Sequence, residues 1–184
     1  HLGALPAPAT PVGALQWHAH EMFFGFGWAV LGGFLLTATK NWVSIRGYHG
    51  TPLVVLVAAW LFERAGMWFG ADWPAALFAL SNTLFLAAIV AMLLWTLVRH
   101  RKDDSYRDNY FFLLVLPAFL LAKQLMLGGE HFQAGIAMAT GLFRVAFLVM
   151  LERTLTQFMK NVFQAEILRH AALDKAIKLL AVLL

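Results

Sequence analysis

The sequence predicts an all-α protein, a polytopic bundle of transmembrane helices, and three observations support this. Hydrophobic residues make up 61% of the 184 residues and charged residues only 13%, a balance that a soluble domain of this length cannot cover with polar surface. The apolar residues fall in runs of about 20, the length that crosses a bilayer. Most of the 14 lysines and arginines lie in short segments between these runs. They therefore report membrane topology, and they give no support to nucleic-acid binding.

Hydropathy places five complete spans and the start of a sixth. The spans are 20–39, 52–70, 74–98, 109–127 and 132–151, and the sixth starts near residue 176. The connections at 71–73 and 128–131 are so short that the spans on either side must form antiparallel hairpins. We interpret residues 1–184 as a single transmembrane domain that is a fragment of a larger bundle, because the chain lacks an initiator methionine and stops within an apolar run.

The orientation is predicted by counting lysine and arginine in each loop. Segments 40–51, 99–108 and 152–178 hold two, four and five of these residues, whereas 1–19 and both short hairpin connections hold none. Cytoplasmic loops carry the excess of positive charge. We therefore expect the start of the chain and His131 to lie outside, and Lys40, Arg101 and Arg153 to lie inside.

The segment 154–170 follows the fifth span and has a mixed composition. Apolar residues recur there near helical spacing among polar ones. This pattern predicts an amphipathic helix on the cytoplasmic surface, between the fifth and sixth spans, with a structural role.

The chemistry of the chain is concentrated where the first span begins. Trp17 is followed by His18, Ala19, His20, Glu21 and Met22. The chain has no cysteine, so a metal would have to be held by histidine, methionine or carboxylate side chains. Histidine is the commonest ligand of haem iron, copper and zinc, and ionisable groups at a membrane boundary are costly. His18 and His20 are therefore candidate metal ligands, and the alternative is that they are polar anchors at the interface.

Helical periodicity of 3.6 residues predicts how this segment is arranged. His18, Glu21 and Met22 would share one face, with His20 on the neighbouring face. Glu21 would orient an imidazole, and Met22 is a candidate soft ligand for Cu(I). Four glycines of the same helix leave room for a flat macrocycle or for another helix. They are Gly25, Gly27, Gly32 and Gly33.

Two cations lie within spans at a similar depth. Arg64 is expected to face the bundle interior near the His18 end, where a haem propionate or Glu21 would neutralise it. The adjacent Glu63 points to another face of an ideal helix and is not expected to be its partner. For Lys123 the favoured interpretation is that it snorkels to the headgroups, and snorkelling remains the alternative for Arg64.

The motif resembles a known family. The string Trp17–Gly25, followed by Gly33–Ala38 and then Asn41 and Trp42, closely resembles the NnrS family of polytopic membrane proteins that contain haem and copper. A later match is similar to an R-x-x-P-x-F-T-[RK]-N signature of that family. Its matching residues are Arg153, Phe158, Lys160 and Asn161, with Thr156 and Met159 where proline and threonine are usual.

The resemblance covers about residues 15–163, roughly the first half of a family member. It implies a multi-pass protein of the bacterial inner membrane that acts in nitric oxide metabolism or resistance to nitrosative stress, often alongside denitrification. It also implies haem b and copper as cofactors, with His18 and His20 as ligands and with Glu21, Met22 and Arg64 beside the cofactor. Catalysis of nitric oxide turnover does not follow from the resemblance.

Two other classes of function stay open from the residues alone. A transporter or sensor would bind a metal ion or small molecule in a polar cavity at the outer end of the bundle. A purely structural subunit would require both histidines to be incidental.

Overall fold

The structure, a computed structural model, describes residues 9–100 and 110–162 together with Ala176 and Leu180. All the regular secondary structure of these residues is helical. The helices are α1 (Ala14–His20), a π-helical segment (Glu21–Gly27), α2 (Trp28–Trp42), α3 (Thr51–Phe69), a 3₁₀ turn (Gly70–Asp72), α4 (Ala75–Arg99), α5 (Tyr110–Leu127) and α6 (Phe132–Val162). The predicted fold class is therefore confirmed.

Four helical stretches of the described chain are long and apolar enough to cross a membrane. They are Ala14–Trp42, Thr51–Asp72, Ala75–Arg99 and Phe132–Thr156, and Phe111–Leu127 is a shorter apolar helix. The chain is therefore a multi-pass membrane protein, and its helices correspond to the five predicted spans. The predicted start of a sixth span lies outside the described residues, apart from the helical Ala176 and Leu180.

The ends of the first and last described helices differ from the prediction. The first helix starts at Ala14, before the predicted residue 20. The residues of the histidine motif are helical, but they are polar, so hydropathy does not include them in the span. The helix predicted over 154–170 is helical as far as Val162, but there it is the continuation of α6, which runs through that residue without a break. No glycine or proline interrupts the chain there. Residues 163–170 lie outside the described chain.

The chain divides into two compact units, residues 1–135 and 136–184. The described part of the second unit is the continuation of α6. The first unit packs the remaining helices around aromatic side chains. Trp28 meets Phe119 of α5 edge to face at 5.0 Å between ring centroids, and Trp42 stacks on Phe112 at 5.7 Å.

The helices of the first unit are antiparallel, so their ends are sorted into two groups. At one end Gln16 donates to the Met126 carbonyl at 3.3 Å, and Trp17 meets Trp68 at 5.5 Å. The start of α1 and the ends of α3 and α5 therefore lie together. At the opposite end, the Tyr48 hydroxyl donates to the Met92 carbonyl of α4 at 3.2 Å. This is the sorting of helix ends that the lysine and arginine count predicts.

Candidate functional site

A cluster of five ionisable side chains lies within the first unit, near the end where α1 begins. Its members are His20, Glu21, Glu63, Arg64 and Lys123, from the α1/π-helical junction, α3 and α5. We call it the charged cluster. Charges inside a membrane-spanning bundle are costly unless they are paired. The stability of the cluster therefore depends on how its charges are paired.

Glu63 is the hub of the charged cluster, and its side chain is fully buried. One of its oxygens, Oε1, accepts a hydrogen bond from Lys123 Nζ at 2.5 Å. The same oxygen lies 2.9 Å from Arg64 Nη2 and 3.2 Å from His20 Nε2. A single carboxylate oxygen thus collects three basic groups from three segments of the chain.

The second carboxylate of the charged cluster, Glu21, is 23% exposed. Its Oε2 accepts a hydrogen bond from Arg64 Nη1, and its Oε1 lies 3.4 Å from His20 Nδ1. Both ring nitrogens of His20 therefore face a carboxylate oxygen, since Glu63 lies at the other nitrogen. The hydrogen bond to Glu21 orients the imidazole, and Glu63 lies close to its other nitrogen.

The Arg64 guanidinium lies against Gly25, which has no side chain to exclude it. A Cβ added at Gly25 would lie 2.1 Å from Arg64 Nη1, so only glycine permits this approach. Trp60 contacts both Gly25 and Arg64. Its indole donates to the Gly25 carbonyl at 3.0 Å, and its ring lies 5.7 Å from the guanidinium carbon. Gly25 therefore accommodates a guanidinium, where the sequence left room for a macrocycle or a helix.

Glu21 contacts its neighbour His20 at the point where the π-helical segment Glu21–Gly27 follows α1. The sequence grouped Glu21 with His18 and Met22, whereas the structure brings Glu21 to His20. A π-helix adds a residue to each turn, as shown by the Trp28 amide donating to the Phe23 carbonyl, and it rotates the side chains relative to an ideal α-helix. The segment begins at Glu21, inside the motif. Such insertions are frequent at functional sites.

His18 and Met22 lie apart from the charged cluster. His18 is exposed, and the Met22 side chain is 53% exposed. His18 makes no hydrogen bond or ion pair with a described residue. The two histidines of the motif therefore have opposite environments, one open and one fully buried.

Several buried polar atoms of the charged cluster have no hydrogen-bond partner. These atoms are His20 Nε2, Glu63 Oε2, and Nε and Nη2 of Arg64. His20 Nε2 and Arg64 Nη2 are close to Glu63 Oε1 but lack hydrogen-bond geometry. Buried polar atoms are normally satisfied, so an orphaned group needs an explanation such as a bound water or ion.

The described residues do not form a conventional all-protein metal site. Among them, no group of three or more histidine, aspartate or glutamate side chains is arranged to hold a metal ion. The ligand roles predicted for His18 and His20, and the roles of Glu21, Met22 and Arg64 beside a cofactor, stay predictions.

Two contacts of the charged cluster depart from the sequence interpretation. Lys123 does not snorkel to headgroups, because its side chain is 1% exposed and bonds Glu63 inside the bundle. The expectation that Glu63 is not a partner of Arg64 is also wrong. The Arg64 side chain is long enough to bring its guanidinium to 2.9 Å from the neighbouring carboxylate. The predicted interior position of Arg64, with Glu21 as its partner, is confirmed.

The fold and the charged cluster define a class of protein: a multi-pass helical membrane protein that carries buried, mutually paired charges near one end of its bundle. Comparison with family models identifies the particular family. The model described as NnrS protein matches residues 1–184, and the chain belongs to the NnrS family. This membership supports a membrane protein related to nitric oxide. Curated proteins and solved structures give no match to the chain.

Proposed function

We propose that this chain is part of a nitric oxide metabolism protein of the bacterial inner membrane, and that it binds a metal cofactor, haem b or copper, at the motif end of its first helix. The observation that carries the proposal is the pair of contrasting histidines. His18 is open and has no described polar partner, while the buried His20 lies between two carboxylates. Metal sites commonly place outer residues that are themselves hydrogen-bonded around their ligands.

The two expected cofactors fit different atoms of the motif. A macrocycle does not fit at His20, because this side chain is fully buried and a carboxylate oxygen lies within 3.4 Å of each ring nitrogen. The exposed His18 imidazole fits an axial ligand of haem b. Copper fits the exposed face that carries His18 and Met22, because these residues are one helical turn apart and supply a nitrogen and a soft sulfur.

The charged cluster has a supporting role in this proposal. A bound metal would supply the capacity to bind nitric oxide or to exchange an electron. The residues of the chain hold charge and position: Glu21 orients His20, Arg64 ties the π-helical segment to α3, and Lys123 neutralises Glu63. Charges held this way near a redox site resist reorganisation, since each is fixed by a partner.

Metal analysis of purified full-length protein tests the proposal. We expect a Soret band, stoichiometric copper, or both, and a decrease of about tenfold or more in the bound metal for His18→Ala. The His20→Ala variant separates the two roles, and we expect it to shift the spectrum more than it lowers the metal content. His49→Ala is the matched control, since this exposed histidine lies at the opposite end of the bundle.

Unchanged haem and copper contents in both motif variants would defeat the ligand assignment. A wild-type protein with neither a Soret band nor bound metal would favour a transporter or sensor instead. Membrane insertion is measured in parallel, and we expect it to be unaffected because it depends on the apolar spans.

The orientation of the chain is a second prediction of the proposal. Residues 1–184 include no cysteine, so a single thiol introduced into this chain reports one position. In intact cells we expect a membrane-impermeant maleimide to label Glu130→Cys and not Arg99→Cys, because positive charge accumulates at the Arg99 end. Both positions should be labelled after lysis. Labelling of Arg99→Cys alone in intact cells would place the motif in the cytoplasm.

A further inference from the structure

A second polar region lies at the end of the first unit opposite to the charged cluster. A cavity of about 260 Å³ opens where α2 ends, α3 begins and α4 ends. Ligand sites for drug-sized molecules are typically roughly 300–1,000 Å³, so this cavity suits a smaller group. Because three spanning helices end or begin around it, the cavity lies at the membrane–water boundary.

The α2–α3 loop builds one wall of the cavity. The Ile45 amide donates to the Lys40 carbonyl at 2.9 Å, which turns the chain back towards α2. The aliphatic stem of Lys40 then packs on Gly47, where an added Cβ would lie 2.6 Å from Lys40 Cδ. The Tyr48 hydroxyl contacts the Thr96 hydroxyl of α4 at 3.1 Å. The loop is thus anchored to both helices.

The lining of the cavity is basic. Lys40, Arg46, His49 and His100 all contribute to it, and none of the lining residues is aspartate or glutamate. Neither Lys40 nor Arg46 forms an ion pair with a described residue. In the charged cluster, by contrast, each lysine and arginine has a carboxylate partner. Lys40 and Arg46 therefore offer positive charge that the described chain does not neutralise.

Part of the remaining lining is apolar. Leu36 and Leu93 contribute to the wall, and the Trp95 side chain is 69% exposed at its edge. Tryptophan at this depth is typical of the interfacial belt of membrane proteins. A site with cations on one side and apolar side chains on the other matches an amphiphile with a negatively charged head.

We propose that this cavity binds the phosphate group of an anionic phospholipid. Lys40 and Arg46 contact the phosphate, and Leu36, Leu93 and Trp95 contact the start of the acyl chains. Basic pockets between transmembrane helices on the cytoplasmic side are known to select anionic headgroups. Inorganic phosphate shares the recognised chemistry, but it would leave the apolar side of the cavity unused.

Native mass spectrometry of the full-length protein tests the proposal with defined lipids. The probes are phosphatidylglycerol and phosphatidylcholine with identical acyl chains. We expect the wild type to retain phosphatidylglycerol, and we expect the double variant Lys40→Met, Arg46→Gln to bind it about twentyfold more weakly. Lys40→Met keeps the stem that packs on Gly47. Arg99→Gln is the control for the single variant Arg46→Gln, because each removes one cation from the same end of the bundle and only Arg46 lines the cavity.

Each outcome of this experiment supports or overturns the proposal. Retention by Arg99→Gln together with loss in the double variant supports it. An equal loss in Arg46→Gln and Arg99→Gln shows general surface attraction and overturns it, as does a wild type that does not prefer phosphatidylglycerol. Thermal stabilisation by inorganic phosphate at constant ionic strength, without a lipid preference, would assign the cavity to a soluble phosphate. The unfolding temperature in phosphatidylcholine checks that the double variant is folded.

Discussion

Glu63→Leu is expected to destabilise the protein by about 3–5 kcal/mol, the cost of leaving buried charges without their partner. Glu63 is fully buried, and its Oε1 binds Lys123 and lies within 2.9 Å of Arg64. Lys123 has no other carboxylate partner among the described residues. Leucine would therefore leave an unpaired ammonium inside the bundle. The unfolding midpoint of the purified protein in detergent measures the loss.

Two variants control this prediction. Glu63→Leu combined with Lys123→Leu removes both members of the buried pair, and we expect it to recover much of the loss because apolar replacements of buried pairs are often neutral. Glu130→Leu removes an exposed carboxylate from the α5–α6 connection and should change stability by no more than about 0.5 kcal/mol. A Glu63→Leu protein as stable as the wild type would show that the pairing is not needed.

The membrane fold could be predicted from the sequence because hydropathy reports directly on burial in lipid. The predicted spans 52–70 and 74–98 differ by about one residue from Thr51–Phe69 and Ala75–Arg99. The first helix was predicted less well, since its opening turns carry the polar motif and raise no hydropathy signal. The continuation of α6 was missed because an amphipathic pattern favours a surface helix and does not show whether the backbone breaks before it.

The charged cluster could be predicted only in part. An arginine within an apolar span needs an anion, which led correctly to Glu21. The Glu63–Lys123 pair joins residues 60 positions apart, and no spacing rule connects them. Each residue was nevertheless a signal, because a carboxylate and an ammonium within apolar spans both require a partner. The contact of Glu21 with the adjacent His20 depends on the side-chain conformation of Glu21, which the sequence does not report.

Arg64→Leu is expected to cost about 2 kcal/mol, which is less than the loss of Glu63. The guanidinium bonds Glu21 and approaches Glu63, so it ties the π-helical segment to α3. After its removal Glu63 keeps Lys123, and Glu21 is 23% exposed and reaches water. Unfolding in detergent measures the cost. Under the proposed function, the variant should also shift a haem spectrum, because Glu21 orients His20 beside the open ligand.

Arg64→Lys distinguishes charge from geometry at this position. Lysine keeps the positive charge but loses the planar fork that reaches two carboxylates, so we expect intermediate stability and a smaller spectral shift. A lysine variant as impaired as the leucine variant would show that the fork carries the whole effect. Wild-type stability and an unchanged spectrum in Arg64→Leu would contradict the role of Arg64 in joining the two segments. In that case the site would depend on the first helix alone, and Arg64 would only fill the space beside Gly25.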